Sequence, residues 1–315
     1  MDAKILDFAF FEGKMVPFSE ANVSIGTHAL QYGTGAFAGV RGYLDQDGST
    51  INIFRLPDHA ARLANSAKLL RMELPYSADD MARIIADLTE KNAPSGDIYI
   101  RPFLYKPAVQ LTPRLRGIGD EFAVYQMPMG DYLALDRGQK AVISSWVRIP
   151  DAAIPSRGKL SGAYVNSAFA KDEAIENGAD EAIMMNTAGK IAEGSGCNLF
   201  IVRHDKLVTP PFSSDILEGI TRRSILKMAK NAGIAVEIRE IDRTELYLAD
   251  EAFFCGTGVQ VAWIEAIDGR TIGAGKVGPI TEQLRTIFFD TVRGKNQQYA
   301  HWLTQVKVPQ VAMAG

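Results

Sequence analysis

The residue pattern predicts a mixed fold, α/β in content and α+β in arrangement, divided into two domains. Alternating and continuous apolar runs of strand length recur along the chain, and stretches of helical periodicity lie between them. The chain has 315 residues, enough for two domains of ordinary size. Between strand-like runs lies Met129-Gly-Asp-Tyr132-Leu-Ala-Leu-Asp-Arg-Gly138, which reads as a linker. The expected division is 1–128, a linker at 129–138, and 139–315 carrying Lys159.

In the first domain, Phe8 to Val16 reads as a hairpin turning at Glu12-Gly13. Next, Tyr32, Phe37, Arg41 and Tyr43 interleave with Gly33, Gly35, Gly39 and Gly42. That pattern suits either a glycine-rich turn into a strand or a pocket wall where aromatic faces meet a ligand. A strand at 51–56 leads to Pro57, well suited to a first helical turn. The helix to Arg71 buries Ala60, Leu63, Ala64, Ala67 and Leu70, with His59, Arg62 and Ser66 on its flank. Ser77-Ala-Asp-Asp80 resembles a capping box opening a second helix. From Asp97 to Lys106 the residues alternate: Tyr99, Arg101, Phe103 and Tyr105 share one strand face. An arginine among aromatics there is a snorkelling cation or a carboxylate receptor. A further strand runs from Glu121 to Met129.

In the second domain a strand is expected over 140–147. Then comes Ile154-Pro-Ser-Arg-Gly158-Lys159-Leu-Ser-Gly162-Ala-Tyr164, a lysine between two glycines where a helix should begin. Most lysines are solvated. Here the glycines allow close backbone approach, and the following helix, to Gly178, reads as mostly buried. A lysine in a partly dry pocket can act as a neutral nucleophile. Strands at 181–186, 189–193, 197–203 and 206–209 are expected to form one antiparallel group. Among them Glu193 stands beside Gly194 in an apolar strand, an odd place for a carboxylate unless a cation meets it. A helix opens at Gly219-Ile220-Thr221, followed by strands at 236–241, 252–255 and 259–264 and a final helix over 279–293. Free N–H groups at Gly219-Ile220-Thr221, and the turn Gly256-Thr257-Gly258, each suit an anion or are plain caps and turns. With Arg62 they could form a phosphate cup. An amine, a phenol and a carboxylate (Lys159, Tyr164, Glu193) are what a pyridoxal phosphate site needs.

A net charge of −3 gives no reason to expect nucleic acid or an anionic membrane as partner. Two cysteines are too few for a disulfide scaffold, which points to a reducing, cytoplasmic setting. Apolar runs fall short of a membrane span, and the N-terminus lacks a signal-peptide pattern. The histidines show no metal-ligand spacing, so no metal is expected.

Taken together, the Lys159 segment, Ile-Ala-Glu193-Gly-Ser-Gly-Cys-Asn-Leu-Phe and Leu-Glu-Gly-Ile220-Thr-Arg resemble the class IV, fold-type IV pyridoxal phosphate aminotransferases. Tyr32-Gly-Thr-Gly-Ala-Phe-Ala-Gly-Val-Arg41 and Tyr99-Ile-Arg101 resemble the branched-chain amino acid branch in particular. The resemblance runs from about Phe11 to the final helix. It implies a small N-terminal α/β domain, a larger C-terminal pseudo-barrel domain, a cofactor at their interface, and a homodimer or higher homo-oligomer. It also implies ping-pong transamination between L-branched-chain amino acids (Leu, Ile, Val) and 2-oxoglutarate. The same scaffold serves D-amino acid and (R)-amine transaminases and aminodeoxychorismate-type lyases, which stay open as alternatives.

Carried over by position, Lys159 would bond the cofactor aldehyde, Glu193 the ring nitrogen and Tyr164 the ring's phenolic oxygen. Arg62 with the Gly219, Ile220, Thr221, Gly256 and Thr257 stretches would hold the phosphate. Tyr32, Phe37, Gly39, Arg41, Met129 and Tyr132 would line the substrate pocket; Tyr99, Thr257 and Gly258 would orient the α-carboxylate; Arg101 would meet glutamate's distal carboxylate. Two positions depart from the common bacterial pattern: Met129 where tryptophan is frequent, and Gly258 where alanine is.

Overall fold

The computed structural model describes residues 4–131, 133 and 136–309. In chain order its elements are β1 (Phe8–Phe11), β2 (Lys14–Pro17), α1 (His28–Tyr32), β3 (Gly35–Phe37), β4 (Val40–Leu44), β5 (Thr50–Phe54), α2 (Leu56–Leu69), α3 (Ala78–Asn92), β6 (Ile98–Tyr105), β7 (Glu121–Pro128) and β8 (Gln139–Ile143). There follow α4 (Tyr164–Glu176), β9 (Glu181–Met185), β10 (Ile191–Gly194), β11 (Asn198–Arg203), β12 (Lys206–Thr209), α5 (Ile220–Asn231), β13 (Ala235–Ile238) and α6 (Arg243–Leu246). The last are β14 (Glu251–Gly256), β15 (Gln260–Ile267), β16 (Arg270–Thr271), α7 (Pro279–Val292) and β17 (Leu303–Lys307).

Two compact units result. One is Met1–Gly130 with Gly158–Gly162 and Asp290–Gly315; the other is Asp131–Arg157 with Ala163–Phe289. The linear division expected from the sequence assigned the lysine loop and the C-terminal stretch to the second domain. Both cluster with the first because of backbone pairing: Leu160 bridges Ala36, and β17 pairs along β5.

In the first unit the strand order is β17-β5-β4-β6-β7-β1-β2, with β3 also on β6. Every described pairing there is antiparallel. The β1–β2 hairpin turns through Glu12 (φ 48°) and Gly13 (φ 79°), whose left-handed conformations match the twist of the strands. Arg55, also left-handed (φ 54°), breaks β5 so that Pro57 can open α2. The stripe Ala60, Leu63 and Ala67 is buried. At the next helix Ser77 and Asp80 exchange both capping bonds. Along β6 Ile98, Ile100 and Leu104 are buried in the core, while Tyr99, Arg101 and Phe103 take the less buried face.

In the second unit the order is β10-β9-β8-β15-β14-β11-β12-β13, with β16 on β15. The expected single antiparallel group is corrected here. β9–β10 and β11–β12 are separate antiparallel hairpins, with β8, β15 and β14 between them. β8 runs parallel to β9, and β12 parallel to β13. A single helix joins the strands in each of these two pairs, α4 in the first and α5 in the second, and such a crossover returns the chain in the same direction; β8 also runs parallel to β15.

The α4 reading is also corrected. Only Ser167, Ala170 and Ala174 are buried, while Val165, Phe169 and Ile175 are exposed. Its small residues are what lie against Ala182 and Met184 of β9. The strand expected over 140–147 ends at Ile143, after which the Ser144 hydroxyl and the Ser145 amide turn to the Glu173 carboxylate. Among the described residues no helix is long and apolar enough to cross a membrane.

Candidate active site

In the first unit the lysine is on an extended loop, not at a helix start. Lys159 is half-buried; its carbonyl accepts from the Phe37 amide (3.0 Å), and its own amide donates to the Ser66 hydroxyl (3.3 Å). The Gly162 amide, three residues on, donates to the Gly33 carbonyl (3.2 Å). Gly33 is left-handed (φ 66°), and a β-carbon on it would lie 2.8 Å from the Gly162 α-carbon. The close backbone approach expected at the glycines flanking Lys159 is made by Gly162, against Gly33. A short 3₁₀ turn, Ser161–Ala163, then leads into α4 at Tyr164.

Around this loop the first unit gathers several of the expected substrate residues. The Lys159 Nζ is 5.2 Å from the centre of the Phe37 ring. The Arg101 guanidinium lies over the same ring at 4.4 Å and over Tyr99 at 5.2 Å, and its Nη2 donates to the Tyr99 hydroxyl (3.2 Å). Among the described residues the buried Nε of Arg101 has no hydrogen-bond partner. Gly39 leaves the space that the Tyr99 hydroxyl fills. Arg41 is 2 % exposed, and its Nη2 donates to the carbonyls of Met129 (3.1 Å) and Gly130 (2.6 Å), fastening the end of β7. Tyr32 closes α1, its ring tilted against that of His28. Arg62 is half-buried on α2, and its carbonyl accepts from Ser66 (3.0 Å). Tyr132 lies outside the described residues.

The second unit builds its part around Glu193, 5 % exposed in β10. Its Oε1 accepts from Arg148 Nε (2.9 Å) and its Oε2 from Asn198 Nδ2 (2.8 Å), while the Leu217 amide reaches both oxygens at 3.2 and 3.1 Å. The cation that the sequence left unnamed is thus Arg148, itself buried. Asn198 Nδ2 also reaches the Leu217 carbonyl (3.1 Å), just ahead of the N-cap Gly219 of α5. A β-carbon on Gly219 would collide with the Asn198 amide oxygen, so any larger residue at this helix start would have to displace the Asn198 side chain from Glu193. That N-terminus has no side-chain cap; Ile220 and Thr221 are buried in its first turn. Gly256, Thr257 and Gly258 make the half-buried turn between β14 and β15. Nothing in the spacing pointed to Arg148, which stands in an irregular segment after β8. Asn198 was visible five residues after Glu193, at the start of β11.

Burial pushes the thiols of Cys197 and Cys255 well above the ordinary range. Both are kept as unreactive packing groups.

The model of the class IV amino-transferases matches residues 46–267. The chain belongs to the class IV amino-transferase family. A protein of Aquifex aeolicus named probable branched-chain-amino-acid aminotransferase is 46% identical to this aminotransferase over 302 residues, 96% of this chain and 97% of that one. The branched-chain-amino-acid aminotransferase of Escherichia coli strain K12 is 37% identical over 97% of this chain and 99% of its own length. Among solved structures, a branched-chain aminotransferase of Thermoproteus uzoniensis with norvaline superposes at a TM-score of 0.91, with 39% identity over 96% and 99% of the two chains. The branched-chain amino acid aminotransferase of Thermobaculum terrenum in its PLP-form also gives 0.91, at 38% identity over 96% and 98%. The fold is therefore that of the fold-type IV enzymes, and this aminotransferase is a transferase.

Proposed function

We propose that this aminotransferase moves the amino group of L-branched-chain amino acids to 2-oxoglutarate in a ping-pong cycle, with pyridoxal phosphate as cofactor. The observation that carries the substrate reading is the environment of Arg101. It is a guanidinium over the rings of Phe37 and Tyr99, with a buried Nε that has no hydrogen-bond partner among the described residues. An aromatic wall accepts a branched apolar side chain, and one cation in it accepts a glutamate carboxylate, which cannot be buried without a charged partner. Relatives that are named branched-chain aminotransferases support the same reading.

The donor set fits the cofactor. Glu193 is an acceptor-only carboxylate facing a cation, suited to a protonated ring nitrogen. The uncapped α5 N-terminus, with buried Thr221, suits a phosphate. When bound, the cofactor supplies an electron sink for the charge left as the α-proton departs. Lys159 would tether it through Nζ, and the same nitrogen, when free, would take the α-proton as general base and give it back as general acid. Glu193 would keep a proton at the ring nitrogen, and Tyr164 would hydrogen-bond the ring's phenolic oxygen. Arg62, the Gly219-Ile220-Thr221 backbone and the Gly256-Thr257 turn would hold the phosphate. Tyr99, Thr257 and Gly258 orient the α-carboxylate. Tyr32, Phe37, Gly39, Met129 and Tyr132 bound the side chain, and Arg41 acts by holding the backbone at Met129.

The reading includes a homodimer or higher homo-oligomer. It is supported by apolar side chains left exposed near α1, among them Ile25, Leu30, Val109 and Leu111.

The deciding experiment is an absorbance and turnover assay of the wild type beside Lys159→Ala. The variant is expected to lose the imine band and essentially all transamination; retained turnover overturns the assignment. Activity with L-leucine but not (R)-1-phenylethylamine, and only when a keto acid is supplied, separates this reading from the amine transaminases and the lyases.

A further inference from the structure

We propose that Arg148 is a positioning residue for the reaction: its guanidinium keeps Glu193 so weak a base that a proton between the carboxylate and a ring nitrogen stays on the nitrogen. This rests on Glu193 being the ring-nitrogen partner. The geometry is that of a built site. Arg148 Nε is 2.9 Å from Glu193 Oε1, with side-chain exposures of 11% and 6%. The Arg148 amide is fixed to the Met185 carbonyl of β9 (2.8 Å), so the cation is anchored beside the strand pair that carries Glu193.

In dry surroundings a carboxylate and a protonated ring nitrogen have a competing arrangement: the proton crosses, and both become neutral. Burial favours that neutral pair because it penalises charge. Such a crossing would end the electron-withdrawing role of the ring. A second cation on the carboxylate opposes it by stabilising the ionised form. Asn198 and the Leu217 amide donate to the same oxygens, but as neutral groups they add direction more than charge. An arginine suits the task because it does not give up its own proton in a protein, whereas a buried lysine can. The Asn198 and Leu217 bonds add a mechanical consequence. They tie the carboxylate to the backbone just before Gly219, so it is held in register with the α5 N-terminus.

The test is the resonance of a ring-¹⁵N-labelled pyridoxal phosphate loaded into wild type, Arg148→Gln and Arg148→Lys. Wild type is expected at the pyridinium position, Arg148→Gln shifted to the neutral-pyridine position, and Arg148→Lys back near the wild type. A purely structural role would leave the proton where it is. If wild type and Arg148→Gln both stand at the pyridinium position, the inference is overturned while the Glu193 reading survives. A neutral wild-type ring sinks the Glu193 reading itself. Should Arg148→Gln fail to fold, the infrared difference between wild-type and Glu193→Gln apoproteins decides. A carboxylate band at neutral pH supports the proposal, and a protonated carboxyl band overturns it.

Discussion

Tyr99 occupies the space that any side chain at Gly39 would need: an added β-carbon would collide with its hydroxyl oxygen. Since the obstructed atoms are the far end of a side chain, Gly39→Ala should fold and push the Tyr99 ring aside. The Tyr99 hydroxyl accepts from Arg101, so the displacement disturbs both groups at once. We expect kcat/KM to fall by roughly 10–100-fold, or about 1.4–2.7 kcal/mol, for leucine and glutamate alike. The melting temperature should change little. An unchanged kcat/KM would remove Tyr99 from substrate binding.

Arg101→Ala separates the two substrates of the proposed cycle. Leucine, with no distal charge, should lose less than about tenfold in kcat/KM. Glutamate and 2-oxoglutarate should lose roughly 100-fold or more, because a buried carboxylate stripped of its cation costs about 3–5 kcal/mol. Half-reactions followed by absorbance measure each substrate alone. Equal losses would show that Arg101 meets no distal carboxylate.

The Ser66 hydroxyl accepts from the Lys159 amide and donates to the Arg62 carbonyl, linking the lysine loop to α2. Ser66→Ala removes the acceptor of that partly buried amide, at a cost of about 1 kcal/mol in stability. Turnover should drop about tenfold with little change in KM, since the loop then holds Nζ less firmly. Ser66→Thr keeps an acceptor and should retain more activity. Chemical denaturation and steady-state kinetics report the two effects separately.

Acid stability offers a further check. The Asp180 carboxylate meets Arg137 through two bonds (2.9 and 2.6 Å) and accepts from the Lys140 amide (2.8 Å). The Arg137 bonds are the largest cause holding it below its usual 3.8. A depressed carboxylate contributes stability above the unfolded value, and loses it as pH falls through the folded one. Asp180→Asn should therefore cost at most about 1 kcal/mol near neutrality. Its stability should converge with the wild type below pH 3.8. A constant gap down to strongly acid pH would contradict this.

Much of the candidate site was legible because the chemistry proposed for it needs residue types that stand out in one dimension. Lys159 between glycines, Glu193 in an apolar strand and Arg101 among aromatics are each local anomalies, visible without a partner. What stayed hidden was whatever depends on a neighbour distant in sequence. Arg148 is an unremarked arginine until β9 and β10 pair and bring Glu193 to it. Strand order was hidden for the same reason. Local alternation shows that a strand exists but not which strand it pairs with, so two hairpins were merged into one group.

The sequence by itself determined the mixed α/β content, the longer helices and most of the strands, the capping box at Ser77 and the candidate lysine, because each is written in residues within a turn or two of one another. Only the tertiary structure decided that the lysine loop pairs with the Gly33–Phe37 stretch, that β17 joins the first sheet, and that α4 turns its alanines inward and leaves Phe169 outside. Those outcomes follow from backbone hydrogen bonds and close packing between segments far apart in the chain, and no local periodicity encodes them.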